Sequence, residues 1–175
     1  MPSSPAQGRK SPPPPTPEGV RRSAGDAALV LRQFRLIFNA VRSHFTLIER
    51  ATGLGGSQAW ALSVVRERPG LGIGELARSM DIHQSTASNL VRVLVARGLV
   101  TTTRDGADRR SVQLKLLPAG GRLLRKAPLL PSGVLPHALS NLDAATLTRL
   151  HADLGAVLAE LHPDARAART PLADL

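Results

Sequence analysis

Apolar residues recur at spacings of three and four along several stretches of the chain, which predicts amphipathic helices. The longest stretch covers residues 26–51. Its apolar positions form a wide stripe, which consists of Ala27, Val30, Leu31, Phe34, Ile37, Phe38, Val41, Phe45 and Ile48. A stripe of this width needs a partner surface, either in the same domain or on a second chain.

Further helices are expected over residues 57–68, 73–79, 84–97 and 143–161. Ser57 and Asp143 are placed to cap the first and last of these, and Gly72 is a permissive N-cap for the second. Pro69-Gly70 and Gly98 provide stops.

After Gly98 the apolar residues recur at every second position, which predicts two strands over residues 99–104 and 111–116. The second strand alternates between an apolar face and a polar face. Asp105-Gly106 shapes the turn between the strands. Pro118 suits the first turn of a following helix, and the later Pro128, Pro131, Gly133 and Pro136 predict a break near 127–133.

Two helices joined by a short turn and followed by a hairpin describe a winged helix-turn-helix. The predicted class is therefore mainly α with a small two-stranded β wing. The expected segments are a disordered Pro-rich tail (1–22), an N-terminal helix (23–55), a winged helix-turn-helix (56–118), C-terminal helices (119–165) and a flexible tail (166–175).

Charge is concentrated in the middle of a chain whose net charge is +10. Residues 78–126 contain ten basic and three acidic side chains, so we expect a polyanionic partner. The absence of cysteine excludes disulfides and thiolate metal sites and is compatible with a cytoplasmic protein. No uncharged apolar run is long enough to span a membrane, and the N-terminus does not resemble a secretory signal.

Helix 84–97 has the chemistry of a DNA recognition helix. Ala87, Leu90, Val91 and Leu94 form its buried stripe, and residues 82–99 contain no acid. Short hydrogen-bonding side chains let a helix approach base edges, and Asn and Arg can pair with adenine or guanine. The candidate contacts are His83, Gln84, Ser85, Thr86, Ser88, Asn89 and Arg92.

The hairpin tip adds a second set of candidates, which are Arg104, Asp108, Arg109 and Arg110. A narrow minor groove attracts Arg. Asp108 is close enough in sequence to orient Arg110, which we expect to enter the groove.

Several motifs in order make this region similar to the MarR family of winged-helix regulators: "GELA", "STASNLV", "ARGLV", the Asp-x-x-Asp-Arg-Arg wing and "L..AG". The resemblance implies a homodimer on a pseudo-palindromic operator. Segments 23–55 and 119–165 would then be the N-terminal and C-terminal parts of an intertwined helical dimerisation stem, and 56–118 would be the DNA-binding domain. The resemblance also implies an effector pocket, for an aromatic or lipophilic acid, near Phe34, Phe38, Arg42, Phe45 and Trp60. Leu117, Asn89 and the Pro128/Pro131 break depart from the family pattern.

The resulting prediction is a ligand-responsive repressor that binds double-stranded DNA as a homodimer and needs no metal or cofactor. The five histidines are scattered without metal-ligand spacing, and no nucleophile–base pair or phosphate-binding loop is visible. A non-specific architectural DNA-binding protein and an accessory winged-helix module of an enzyme remain as alternatives.

Overall fold

The computed structural model describes residues 17–104, 112–127 and 132–174, apart from the side chains of 17–24, Arg104 and Arg166. Within these ranges the chain is mainly helical and has one two-stranded antiparallel sheet, which confirms the predicted class. The chain divides into two compact units, Met1–Ile37 and Phe38–Leu175.

Helix α1 covers Pro17–Thr52 and therefore begins earlier than the sequence pattern predicts. Proline fits this position because its fixed φ and missing N–H suit the first turn of a helix. Several large apolar side chains of α1 are exposed: Leu29, Val30, Leu31, Leu36, Ile37, Phe38 and Leu47. In contrast, Val41 and Ile48 are buried in the second unit. Only part of the apolar stripe is thus covered within one chain.

The core of the second unit lies among α2 (Gly56–Glu67), α3 (Ile73–Met80) and α4 (Gln84–Ala96). It is aliphatic, and its fully buried side chains include Ile48, Leu54, Leu62, Leu76, Leu94 and Leu114. Gly72 caps α3 as predicted, and the Glu75 carboxylate accepts a 2.8 Å hydrogen bond from the Gly72 amide. Gly98 follows α4 with φ +65, a conformation that glycine adopts without strain.

The predicted cap at Ser57 is wrong. Helix α2 begins one residue earlier than expected, and Gly55 is its N-cap. Ser57 lies inside the helix and is buried, and its hydroxyl donates a 2.8 Å hydrogen bond to Asp174 Oδ1. The Ser57 hydroxyl is therefore bonded to Asp174, 117 positions away, and does not cap the helix as its place in the sequence indicates.

Strands β1 (Val100–Arg104) and β2 (Val112–Leu116) pair antiparallel, with Val100 opposite Leu116 and Arg104 opposite Val112. The other edge of β2 is also paired. The amide of Gly70 donates to the Leu114 carbonyl and the amide of Leu114 donates to the Leu71 carbonyl, both at 3.0 Å. The base of the wing is consequently held from two sides.

Three helices follow the wing: α5 (Pro118–Leu124), α6 (Val134–Ser140) and α7 (Ala144–Leu161). Pro118 begins α5 as predicted, and Leu117 takes the N-cap without a side-chain hydrogen bond. The helical path is interrupted between Leu124 and Val134, as expected, although Pro128 and Pro131 themselves lie outside the described residues. Asp143 caps α7 by accepting a 2.8 Å hydrogen bond from the Thr146 amide.

The C-terminal segment, expected to be flexible over 166–175, contains two short 3-10 helices, Ala165–Arg169 and Leu172–Asp174. Pro171 is buried, and Asp174 is bonded to Ser57 of α2. This segment therefore packs back onto α2.

Candidate nucleic-acid interface

Helix α4, the predicted recognition helix, is positioned by apolar contact with α3. Leu76, Ala77 and Met80 are the buried residues of α3, and Ala87, Leu90, Val91 and Leu94 are those of α4. The turn between the two helices requires a left-handed residue, which is Asp81 with φ 50. Aspartate tolerates this conformation better than most residues. The buried stripe of α4 is the one that its sequence spacing predicts.

The opposite face of α4 is polar and solvent-facing. The exposed candidates on and beside it are His83, Gln84, Ser85, Ser88, Asn89 and Arg92, whereas Thr86 is half-buried. No Asp or Glu occurs from residue 82 to residue 104. This surface can therefore approach a phosphate backbone without carboxylate repulsion.

Two hydrogen bonds orient side chains on this face. Arg92 Nη2 donates to Asn89 Oδ1 at 3.1 Å, and the Ser88 hydroxyl donates to the Gln84 carbonyl at 2.8 Å. Asn89 keeps its amide N–H groups as donors, and Arg92 keeps its remaining guanidinium donors. The pair thus presents a set of donors that can face acceptors on base edges or phosphates.

His83 is the N-cap residue of α4, with extended backbone angles of φ −66 and ψ 144. Its side chain makes no capping hydrogen bond. The first amides of α4 have no intrahelical acceptor, and in the absence of a side-chain cap they can donate to an anion.

The wing candidates divide into described and undescribed residues. Arg104 is the last residue of β1, and its backbone lies opposite Val112. Asp108, Arg109 and Arg110 lie outside the described residues. Strand β1 follows α4 closely, so the base of the hairpin lies directly after that helix in the chain.

The five predicted effector-pocket residues are not all brought together. Phe45 and Trp60 line one cavity of about 150 Å³, together with Met80, Ile82 and residues of the C-terminal segment. Arg42 instead borders a shallow groove with Leu47 and Arg50 on α1. Phe38 is 61 % exposed, and Phe34 belongs to the first unit and is partly buried.

Two positioning contacts escape sequence reasoning. Arg97 Nη1 donates a 2.8 Å hydrogen bond to the Gly53 carbonyl, and Ser57 is bonded to Asp174. In the sequence, Arg97-Gly98 indicates only the end of a helix. No periodic pattern relates Arg97 to Gly53 or Ser57 to Asp174.

In the part of the chain that the structure describes, no three His, Asp or Glu side chains gather as metal ligands. None of the helices in the described ranges is long and apolar enough to cross a bilayer.

Comparison with known proteins relates this geometry to a family. Residues 52–111 match the MarR family model. A solved MepR-like protein complexed with pseudoligands is 20 % identical, with a TM-score of 0.51, over 77 % of this chain and 94 % of that chain. The transcriptional regulator SlyA is 18 % identical, also with a TM-score of 0.51, over 75 % of this chain and 93 % of that one. No curated protein sequence matches the chain.

At these identities the two solved structures support the fold alone, whereas the family match rests on the sequence of the segment that contains the helix-turn-helix. Residues 52–111 thus match the MarR family model, and the chain shares the fold of the MepR-like protein and of SlyA.

Proposed function

We propose that the protein is a sequence-specific DNA-binding regulator that acts as a homodimer on a pseudo-palindromic operator, most simply as a ligand-responsive repressor. The observation that carries this proposal is the exposed, acid-free face of α4, on which Asn89 and Arg92 form an oriented pair. Side chains of this type read base edges in the major groove.

The argument for DNA begins with the shape and charge of this face. Ser85 and Ser88 are short, so the helix backbone can approach the bases closely. The uncapped first turn of α4 offers amides to a phosphate at the edge of the same groove. Phosphate contacts would fix the register, and Asn89 and Arg92 would supply base discrimination.

The argument for a homodimer comes from uncovered apolar surface. No residue of the 18-residue helix α7 is buried against the rest of the described chain. Leu154, Val157, Leu158 and Leu161 are all exposed, Leu161 to 67 %. Their spacing places them on one face of the helix. A contiguous apolar face of this kind indicates a protein partner, and a second copy would also place two α4 helices about 34 Å apart for successive major grooves.

The argument for a ligand is the cavity beside Phe45 and Trp60, because it reaches Met80 and Ile82 at the turn of the helix-turn-helix. A molecule that binds there with different affinity in two arrangements of the helix-turn-helix would shift the population between them. Repression follows where the operator overlaps a promoter.

The test is selection of bound fragments from genomic DNA, followed by affinity measurement on the enriched sequence. We expect a pseudo-palindrome with half-sites about one duplex turn apart. Asn89→Ala should relax the preference at one position in each half-site, at a cost of about 1–3 kcal/mol on the preferred base. Ala156→Ser, on the outer face of α7, is the control and should bind as the unmodified chain does.

Enrichment of unrelated sequences with equal affinity would refute sequence specificity and favour an architectural DNA-binding protein. A lack of affinity for any duplex at low salt would refute DNA binding altogether.

A further inference from the structure

Helix α4 carries one pair of polar side chains whose hydrogen bonding limits which base the helix can recognise. We propose that the Asn89–Arg92 pair selects guanine over adenine at the base that Asn89 contacts. This inference rests on the proposed function, because it names the base that the DNA-binding helix prefers. It follows from one hydrogen bond on the exposed face of α4 and from the donors and acceptors of the bases.

The two side chains are held together on the surface of the helix. Asn89 and Arg92 are three positions apart on α4, so they are neighbours on its surface. Both are exposed, and Arg92 Nη2 donates a 3.1 Å hydrogen bond to Asn89 Oδ1. The sequence from residue 82 to residue 104 contains no Asp or Glu. No carboxylate of α4 therefore competes with Asn89 for the guanidinium.

The orientation of the Asn89 amide follows from the chemistry of its neighbour. A guanidinium carries N–H donors and no acceptor, so the amide atom that faces it is the oxygen. The reversed amide would set the N–H groups of Asn89 against those of Arg92. The Asn89 amide consequently spends its acceptor on Arg92 and keeps its N–H groups as donors.

Adenine is a poor match for this arrangement. Asparagine pairs with adenine through two hydrogen bonds, in which its oxygen accepts from the N6 amino group and its nitrogen donates to N7. In α4 that oxygen already accepts from Arg92, whose positive charge lies beside it. The adenine amino group would have to share the oxygen with a cationic donor. One of the two hydrogen bonds to adenine is therefore weakened.

Guanine is the better match, because its major-groove edge presents two acceptors, O6 and N7. The N–H groups of Asn89 and the remaining N–H groups of Arg92 can donate to these acceptors without breaking the contact between the two side chains. Hydrogen bonds from a guanidinium are also charge-assisted. The bond to Asn89 directs Arg92 toward the N-terminal half of α4, and the N-terminal residues of such a helix contact the base edges.

The experiment measures base preference at one position of the operator. This position is the one in each half-site at which Asn89→Ala removes the preference during binding-site selection. Duplexes that carry each of the four base pairs there are titrated against the full chain by fluorescence anisotropy. We expect guanine to be favoured over adenine by about tenfold, the usual discrimination of a good set of base contacts.

Arg92→Ala is the decisive variant, because it frees Asn89 Oδ1 to accept from adenine. Its preference at this position should change from guanine to adenine, in addition to a loss of affinity that all four duplexes share. The double variant Asn89→Ala/Arg92→Ala is the control and should show no adenine preference, since the amide that would bond adenine is absent. Far-UV circular dichroism verifies that all variants are folded.

Base analogues test the same contact with the unmodified chain. Replacement of the guanine by 7-deazaguanine removes the N7 acceptor and should weaken binding about fivefold, the effect of one lost hydrogen bond. Inosine keeps O6 and N7 and lacks only the amino group in the minor groove. It is therefore the matched control and should bind as guanine does.

A preference for a base other than guanine in the unmodified chain would overturn the inference. So would an Arg92→Ala chain that still favours guanine, or an Asn89→Ala chain whose preference is unaltered at every position. All three results leave sequence-specific DNA binding in place. A chain that binds no duplex, or binds all sequences equally, instead refutes the proposed function, so the two failures are distinguishable.

Discussion

Arg97, directly after α4, donates a 2.8 Å hydrogen bond from Nη1 to the backbone carbonyl of Gly53, directly after α1. Gly53 has φ +66, which turns its carbonyl out of the helical path. The two residues are 44 positions apart in sequence. This bond connects the C-terminal end of α4 to the C-terminal end of α1.

Replacement of Arg97 by alanine should lower the free energy of unfolding by about 1 kcal/mol, because one partly solvated hydrogen bond is lost. Urea denaturation measures the change. Arg122 is an exposed arginine on α5. Arg122→Ala is therefore the matched control and should change stability by less than about 0.5 kcal/mol. Equal effects of the two substitutions would show that the bond to Gly53 does not contribute to stability.

Leu94→Ala should destabilise the protein strongly, by about 2–5 kcal/mol, because the side chain is fully buried and its removal leaves a cavity. Val95 is the next residue on α4 and is 40 % exposed, so Val95→Ala should cost much less. The same denaturation assay compares the two variants. Similar losses would contradict the placement of the α4 stripe against α3.

The cap of α7 should make its stability depend on pH. The backbone N–H of Thr146, assisted by its hydroxyl, lowers the pKa of Asp143 below the ordinary value of 3.8. The charged carboxylate therefore stabilises the folded helix fully above pH 3.8, and this contribution is lost as the pH falls through the lower folded pKa. A far-UV circular dichroism titration from pH 5 to pH 2 measures the loss.

Asp143→Asn retains an N-cap acceptor but cannot ionise, so it should remove this acid-dependent component while keeping the helix near neutral pH. Asp153→Asn, a mid-helix acid, should leave the component in place. An unchanged titration in Asp143→Asn would mean that another group causes the acid transition.

Leu158→Asp should convert the proposed homodimer into monomers at micromolar concentration. Leu158 is 51 % exposed in the single chain, and in a dimer the new carboxylate would be buried without a partner. Ala156 is on the opposite face of α7, so Ala156→Asp is the control and should leave the assembly intact. Light scattering coupled to size exclusion gives the masses. A dimeric Leu158→Asp chain would place the interface elsewhere.

Arg110→Ala should weaken operator binding by about 1 kcal/mol or more and flatten the dependence of affinity on salt, because one cationic contact disappears. Fluorescence anisotropy at several salt concentrations gives both quantities. Arg149→Ala, on α7, should alter neither. An unaffected affinity in Arg110→Ala would remove this arginine from the proposed interface.

Patterns over a few neighbouring residues were enough to predict the buried face of α4, the cap of α7 and the starts of the strands. The spacing of Ala87, Leu90, Val91 and Leu94 placed the buried side of α4, because helical periodicity alone assigns residues to a face. The Asp143 cap was also predictable from local sequence, because the donor, the Thr146 amide, is only three residues away from the acceptor. Both strands begin within one residue of their predicted starts.

Contacts between distant positions were not predictable in this way. Ser57 was assigned to a cap because its partner Asp174 is remote in sequence, and the folding back of the C-terminal segment has no periodic signature. Phe45 and Trp60 line one cavity whereas Arg42 borders another groove, because helical faces do not show which side chains converge. The effector pocket itself stays a prediction. The roles of Asp108, Arg109 and Arg110 stay predictions.

The pairing of β2 on both edges has a consequence for how the hairpin can diversify. Leu114 is bonded to Gly70 and Leu71 on one side, while Thr102 opposes it on the other. The base of the hairpin is anchored by backbone hydrogen bonds, which do not depend on side-chain identity. We therefore expect that the residues between Arg104 and Val112 can be exchanged without altering the pairing of β1 with β2. Grafting a foreign tip of equal length is therefore a route to new operator preferences on an unchanged scaffold.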